Sequence, residues 1–242
     1  MPIKLEPKCP VCGQNKFYFE EDVELTKPCD ICGVAFEADA SCENGHHVCH
    51  TCRQKSARQA MIAHCLKSSC QQPYPLVLEL MKLPEVAMHG PEHHLLLTAA
   101  LLTSYCNEKG RQPDLPAFLA EADERSMEVP GGACGFWGIC GAAIGSGIYI
   151  SIVTGANPYA GAEWKASGQL TAQCGSAVAC QGGPRCCKRD TFLSLKEAAP
   201  YSNTLLDTHF IVPEDYTCEF YPSNEDCKRL DCPFFPVKKE KA

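Results

Sequence analysis

Apolar residues are sparse over the first 56 positions and dense from there to about residue 206. The opening stretch consists of short polar segments broken by Cys-x-x-Cys-Gly turns, and it has too little apolar periodicity to build a core without crosslinks. Helical patterns follow at Ala57–Leu66 and Pro75–Lys82, the second carrying Leu76, Leu78, Leu80 and Met81. A third helix is expected to open at Gly90-Pro91-Glu92, with proline at its first position. It runs through Leu95, Leu96, Leu97, Ala99, Ala100, Leu101 and Leu102 and stops at Gly110. Apolar on most faces, it belongs inside. Pro116–Met127 is amphipathic through Phe118, Leu119 and Ala122 and ends before Pro130-Gly131-Gly132.

From Val129 to Ala162 no charged residue occurs, and Cys140–Thr154 reads as a helix with Gly141, Ala142, Gly145 and Gly147 along it. A membrane span takes ~20 predominantly apolar residues. This run is shorter, rich in glycine and bounded by Gly131-Gly132 and Asn157-Pro158, so a central core helix with close neighbours is expected and no membrane span. Two more helices are predicted, Tyr159 to about Cys180 and one through Phe192, Leu193 and Leu195, separated by the loop Gln181-Gly182-Gly183-Pro184. After His209 helix signals fade, leaving an extended segment anchored at its cysteines and ending in Lys238-Lys239-Glu240-Lys241. The chain is therefore expected to be mainly α. A zinc-ribbon or cross-brace region at 1–56 and a helical connector at 57–87 precede a buried helical domain at 88–208 and a cysteine-containing tail at 209–242.

Composition adds one abnormal number. Of 242 residues 19 are cysteine, while 22 Lys and Arg against 29 Asp and Glu give a net charge of −7 that disfavours a nucleic-acid surface. The N-terminal Met-Pro-Ile-Lys-Leu-Glu-Pro-Lys lacks the apolar run of a secretory signal, which points to a cytoplasmic protein with reduced thiols. An odd count also fits poorly with complete disulfide pairing. Clustered thiols in a reducing compartment bind metal or do redox chemistry.

Cys9-Pro10-Val11-Cys12-Gly13 and Cys29-Asp30-Ile31-Cys32-Gly33 are knuckles at zinc-ribbon spacing, because two intervening residues turn both sulfurs toward one ion. Cys42, His46, His47, Cys49 and Cys52 follow, so the cysteines and one histidine, His46, supply eight ligands for two tetrahedral zinc ions. Three pairings are open. A sequential one completes the ribbon first. An interleaved one joins Cys9 and Cys12 to Cys42 and His46, and Cys29 and Cys32 to Cys49 and Cys52. A RING-like one starts at Cys29 and closes on Cys65 and Cys70, with a wrong final spacing and Cys9 and Cys12 stranded. Closed four-ligand sites are expected to be structural.

A second constellation places Cys134 and Cys140 in a Gly-rich turn opening a buried helix, and Cys186 and Cys187 beside Arg185, Lys188 and Arg189 ahead of another. Helix N-termini and cations favour thiolates, so these four are candidate ligands of an Fe–S cluster of the [4Fe-4S] type, with Cys187 a candidate nucleophile. His89, His93 and His94 are candidate ligands or proton carriers, with His93 the one expected in catalysis; Pro91 breaks the helical face between His89 and His93. Cys106, Cys174 and Cys180 are expected to be small core residues. Cys218, Cys227 and Cys232 lack a fourth partner nearby and could borrow Cys65 or Cys70 or close on another district.

Cys140-Gly141-Ala142-x-x-Gly145, preceded by a buried helix and followed by late cysteines, resembles the redox-active proteins named for their Cys-Gly-Ala-x-x-Gly motif. The whole chain is similar to an uncharacterised family of anaerobic prokaryotes that joins a Cys-x-x-Cys-Gly zinc region to such a domain. The resemblance rests on Cys42-Glu43-Asn44-Gly45-His46, Met88-His89-Gly90-Pro91-Glu92-His93-His94, Gly135-Phe136-Trp137, Gly183 through Asp190 and Cys232-Pro233-Phe234-Phe235. It implies redox or sulfur handling without naming a reaction. Where the motif proteins carry a cysteine on the preceding helix, this chain holds His93 and His94.

Three functions are carried forward: a redox or sulfur-relay protein serving a partner enzyme, a zinc scaffold whose cysteines are all structural, and a metal-dependent enzyme using His89, His93 and Glu92. No Walker loop, dinucleotide-binding glycine pattern or Gly-x-Ser-x-Gly elbow is found.

Overall fold

A computed structural model describes residues 8–14, 17–19, 26–38 and 40–236; the charged stretch Lys238–Lys241 lies outside them. The N-terminal part holds two antiparallel ribbons. In one, β1 (Phe17–Phe19) pairs with β4 (Ala40–Cys42), Phe17 opposite Cys42; in the other, β2 (Thr26–Pro28) pairs with β3 (Ala35–Glu37), Thr26 opposite Glu37. Strands this short do not hold themselves together. What lies buried between them is Cys9, Cys29, Cys42, Val48 and Cys52, so sulfur occupies the place of hydrocarbon.

Eight α-helices follow among the described residues: α1 (His50–Lys67), α2 (Pro73–Met81), α3 (His93–Lys109), α4 (Leu115–Met127), the single turn α5 (Ala133–Phe136), α6 (Gly141–Thr154), α7 (Ala162–Gln181) and α8 (Cys187–Leu206). The mainly α expectation holds. The sequence pattern starts α1 too late, at Ala57, because its first two turns are polar; they form as a continuation of the metal-ligand loop, with Cys49 at the N-cap and Cys52 in the first turn. Likewise α3 begins at His93, after a turn at Pro91, and α7 at Ala162, after a turn at Asn157–Ala160. The left-handed Gly110 and Gly155 end α3 and α6.

The uncharged α6 is the hub, packed against α3, α4, α7 and α8. Its glycines are the reason. A Cβ on Gly145 would stand 2.7 Å from both the His94 carbonyl oxygen and Thr98 Oγ1, and one on Gly147 would run into the Thr171 hydroxyl of α7. Thr98 donates to the Gly145 carbonyl at 2.8 Å, stitching α3 to α6 through buried backbone. Ala57, Met61 and Cys65 of α1 and Leu76, Val77, Leu80 and Met81 of α2 enter the same apolar cluster as α3, α6 and α8. The stretch expected to be a connector at 57–87 is thus part of the core, and α1 runs unbroken across the boundary expected at residue 56.

The tail returns to the core through aromatic rings. Tyr216 stacks on Phe192 of α8 with centroids 3.9 Å apart, Phe234 lies 5.4 Å from Tyr216, and Cys218 N–H donates to Phe234 O at 2.6 Å. Among the described residues no helix is long and apolar enough to cross a membrane.

Replacing Gly145 with alanine forces a methyl group against backbone that cannot turn aside, and urea denaturation should show a loss of about 1–3 kcal/mol. In α7, Gly168 has nothing within 4 Å of its Cβ position, and Gly168→Ala should raise stability by up to about 1 kcal/mol instead.

Candidate functional site

Among the described residues thiols line four sites. The first two are the N-terminal quartets, Cys9, Cys12, Cys42 and His46, and Cys29, Cys32, Cys49 and Cys52, each with its ligand atoms within 4.8 Å of one another. This is the interleaved pairing. The sequential and RING-like pairings fall away: Cys65 is buried in the helical core, and the Cys70 thiol donates to its neighbour Gln72 O at 3.3 Å.

The knuckles are shaped by backbone. Gly13 and Gly33, both at φ +72°, donate to Cys9 O and Cys29 O at 2.8 Å and close the turns. Ile31 and Cys49 N–H point at Cys29 Sγ, 3.5 and 3.4 Å away. The spacing suits one tetrahedral ion per quartet: Cys12 and Cys42 sulfurs are 3.7 Å apart and Cys32 and Cys49 sulfurs 3.9 Å. A zinc–sulfur bond of about 2.3 Å sets a tetrahedral edge of roughly 3.8 Å. Electrostatics argue for a cation too. Despite the cost of burial, backbone N–H groups from Cys49, Cys32 and Ile31 bring the Cys29 thiol down to about 6, while burial and the neighbouring thiols push Cys52 up to about 12. Cys12, aided first by Gln14 N–H, falls to about 6, while burial raises Cys9. Thiols this close cannot all ionise without a positive charge among them.

The third site is a cavity of about 700 Å³ where the start of α1 faces the starts of α3 and α8, lined by Arg58, His89, His94, Cys134, Arg185 and Cys187 among others. Arg58 is fixed by Asp123, its Nε donating to Oδ1 and its Nη2 to the carbonyl, each at 2.6 Å. The His94 ring lies where a Cβ on Gly141 would be, so the glycine of the Cys-Gly-Ala stretch makes room for an imidazole. His94 Nδ1 donates to Val129 O at 3.1 Å, and burial lowers its pKa. His89 Nε2 donates to Asn224 Oδ1 at 3.0 Å; burial lowers its pKa, and its buried Nδ1 has no partner. Both rings are therefore neutral at pH 7. The sequence marked these histidines, but nothing in it pointed to Asn224.

The four candidate cluster thiols are divided. Cys134 and Cys187 face this cavity, whereas Cys186, next to Cys187, faces a second one beneath the tail. Cys140 points at Asp190, Sγ to Oδ2 3.9 Å. Basic neighbours do not make these thiols acidic. Burial dominates and pushes Cys187 to about 11 and Cys140 and Cys186 to about 12. Cys106 and Cys174 are core residues as expected, but Cys180 is exposed, on the outer face of α7.

His93 does not line the cavity. It is 2% exposed, Nδ1 donates to Gly90 O at 3.1 Å beside Glu92 Oε1 at 3.4 Å, and Nε2 is unpartnered. Burial, then the Lys188 charge, lowers its pKa to about 4. Lys188 is fully buried, donating to Met81 O at 3.3 Å and standing 5.1 Å over the Phe220 ring; burial lowers it to about 8 against the pull of Glu92. Burial would raise Glu92, but the adjoining His93 ring, its own backbone N–H and the Lys188 charge hold it well below the carboxylate range. Glu92 and Lys188 thus carry opposite charges beside a neutral His93.

Residues 61–235 match a family of unknown function, DUF5714, and the chain belongs to that family. The match begins inside α1, so all eight quartet ligands lie before it. No curated protein and no solved structure matches the chain.

Metal analysis of the purified protein should find two divalent ions per chain bound by the quartets. Cys12→Ser and Cys32→Ser should each lose one ion, from different sites. A second expectation concerns pH. His93 stays neutral when folded down to about pH 4, whereas the unfolded chain takes up that proton near pH 6.5, so stability falls as pH drops through this window. Between pH 7 and 5 the loss should be about 2 kcal/mol by urea denaturation, and His93→Gln should flatten it.

Proposed function

We propose that this family member is a metal-binding thiol protein that handles sulfur or redox equivalents at Cys187, with zinc in its two N-terminal quartets as a structural support. The observation that carries the reading is a cysteine at the first turn of α8 opening on the 700 Å³ cavity shared with two neutral histidines and Arg185. The metal quartets are closed and offer no free position, so the chemistry falls to the cavity.

Cys187 rests as a protonated thiol, because burial outweighs the Gly90 N–H that points at its sulfur. Reaction therefore needs a base. His89 Nδ1, buried and unpartnered, is a suitable acceptor. The thiolate attacks the terminal sulfur of a persulfide: a bond forms between Cys187 Sγ and that sulfur, the donor's S–S bond breaks, and the departing thiolate takes up the proton that Cys187 lost. No electrons change hands overall, and Cys187 is left as a persulfide. Attack on a disulfide by the same route leaves a mixed disulfide for Cys134 to resolve. Such reversible chemistry belongs in a reducing compartment, and a cytoplasmic location is part of the proposal.

A second reading, the docking scaffold, draws on exposed aromatics. Phe136, Trp137, Tyr159 and Trp164 all stand in solvent, Tyr159 at 99% exposure. A protein partner covering these rings is compatible with either function, and an acidic chain makes nucleic acid the poorer candidate.

The test is anaerobic incubation with a low-molecular-weight persulfide, followed by peptide mass spectrometry. One added sulfur is expected on Cys187, absent in Cys187→Ser and formed at least 10-fold more slowly in His89→Gln. Label confined to the exposed Cys134 and Cys180 would overturn the proposal.

A further inference from the structure

The cavity beneath the tail brings together four thiols from distant parts of the chain: Cys186 at the N-cap of α8, and Cys218, Cys227 and Cys232. It has about 340 Å³ of space between protein atoms, part of it open to solvent. Met88, Phe192, Tyr216, Tyr221, Phe234 and Phe235 supply apolar walls. No oxygen ligand from Asp or Glu lines it. A site of soft sulfur donors in an apolar setting selects zinc, copper(I) or iron–sulfur.

Geometry separates these. A single tetrahedral zinc draws its sulfurs to roughly 3.8 Å. Both N-terminal quartets are that tight, but no three of Cys186, Cys218, Cys227 and Cys232 come within 4.8 Å of one another. A cubane of four irons and four sulfides spreads its thiolates wider than one ion does. Three of the four sulfurs also receive backbone N–H groups. Arg189 N–H donates to Cys186 Sγ at 3.4 Å, Arg229 N–H to Cys227 Sγ at 3.4 Å, and Phe220 and Tyr221 N–H point at Cys218 Sγ. The Arg229 bond spans two residues, as the Ile31 bond to Cys29 does in the N-terminal knuckle. To make it, Arg229 adopts φ +52°, a left-handed conformation unusual for a residue with a side chain. Asn224 Nδ2 approaches Cys186 Sγ at 3.6 Å, while the buried Arg189 guanidinium on the cavity wall is paired with Asp190.

We infer that Cys186, Cys218, Cys227 and Cys232 ligate a [4Fe-4S] cluster under the C-terminal tail. The inference goes beyond sulfur handling at Cys187 and does not rest on it. It replaces Cys134, Cys140 and Cys187 of the cluster set expected from the sequence, keeps Cys186, and gives the three tail cysteines their fourth partner. Through Asn224, which bonds both Cys186 and His89, the cluster site adjoins the Cys187 cavity.

The full chain, purified anaerobically and reconstituted with ferrous iron and sulfide, should carry about four irons and four acid-labile sulfides with broad absorption near 400 nm. Cys218→Ser, Cys227→Ser and Cys232→Ser should each lose at least half of the iron and sulfide while keeping the N-terminal ions. Cys140→Ser should retain all of it. Cys187→Ser should keep its iron while losing persulfide uptake, so the two proposals fail separately. Because a serine variant can misfold, the wild-type chain is also alkylated before and after reconstitution. Protection of Cys186, Cys218, Cys227 and Cys232 is expected. Protection of Cys134, Cys140 and Cys187 instead, a third zinc at the tail cysteines, or no iron after reconstitution would overturn the inference.

Discussion

The backbones of α3 and α6 touch where only glycine allows it. With Gly145 against the His94 carbonyl and Gly141 beneath the His94 ring, α6 settles onto α3 with no side chain of its own at these two positions, and Thr98 locks the contact with a buried hydrogen bond. Everything around the cavity takes its position from that contact. His94 is turned toward Val129, the loop ahead of α5 is brought to the cavity rim, and Cys140 at the start of α6 is placed beside Asp190 of α8. The glycines that make the segment look membrane-like in sequence are packing devices.

Burial competes with charge throughout. At the cysteines of α6 and α8 burial wins, which is why Arg185, Lys188 and Arg189 do not produce acidic thiols. Arg189 is already committed to Asp190 and to the carbonyls of Gly182 and Pro184, and Lys188 to Met81. Counting cations near a thiol in sequence misleads when, like Lys188 and Arg189, they have partners of their own. In the N-terminal quartets backbone N–H groups shift the balance, and Cys12 and Cys29 approach the thiolate state.

Helices with strong apolar periodicity, α3 and α4, are legible from sequence to within three residues at each end, and the knuckle spacing singles out the eight residues that gather into two candidate metal sites. What escaped is long-range. The first two turns of α1 are polar apart from the buried Cys52, so periodicity cannot see them. Choosing among quartet pairings needs the registers of both ribbons, which bring Cys42 and His46 to Cys9 rather than to Cys49. Cys186 and Cys187, alike in sequence, part because Cys186 is the extended N-cap residue and Cys187 the first residue of α8. Nor could any spacing rule join Cys186 to Asn224, 38 residues on.

The start of α1 has a double occupation. Cys49 and Cys52 belong to a metal quartet, while His50, Thr51 and Gln54, interleaved with them on the same turns, form part of the cavity wall. An ion in the Cys29 quartet and a molecule in the cavity therefore grip one short piece of backbone from opposite sides. Thermodynamic reciprocity makes any coupling between the two equal in both directions. The quartet and the cavity thus share one stretch of helix without sharing a side chain.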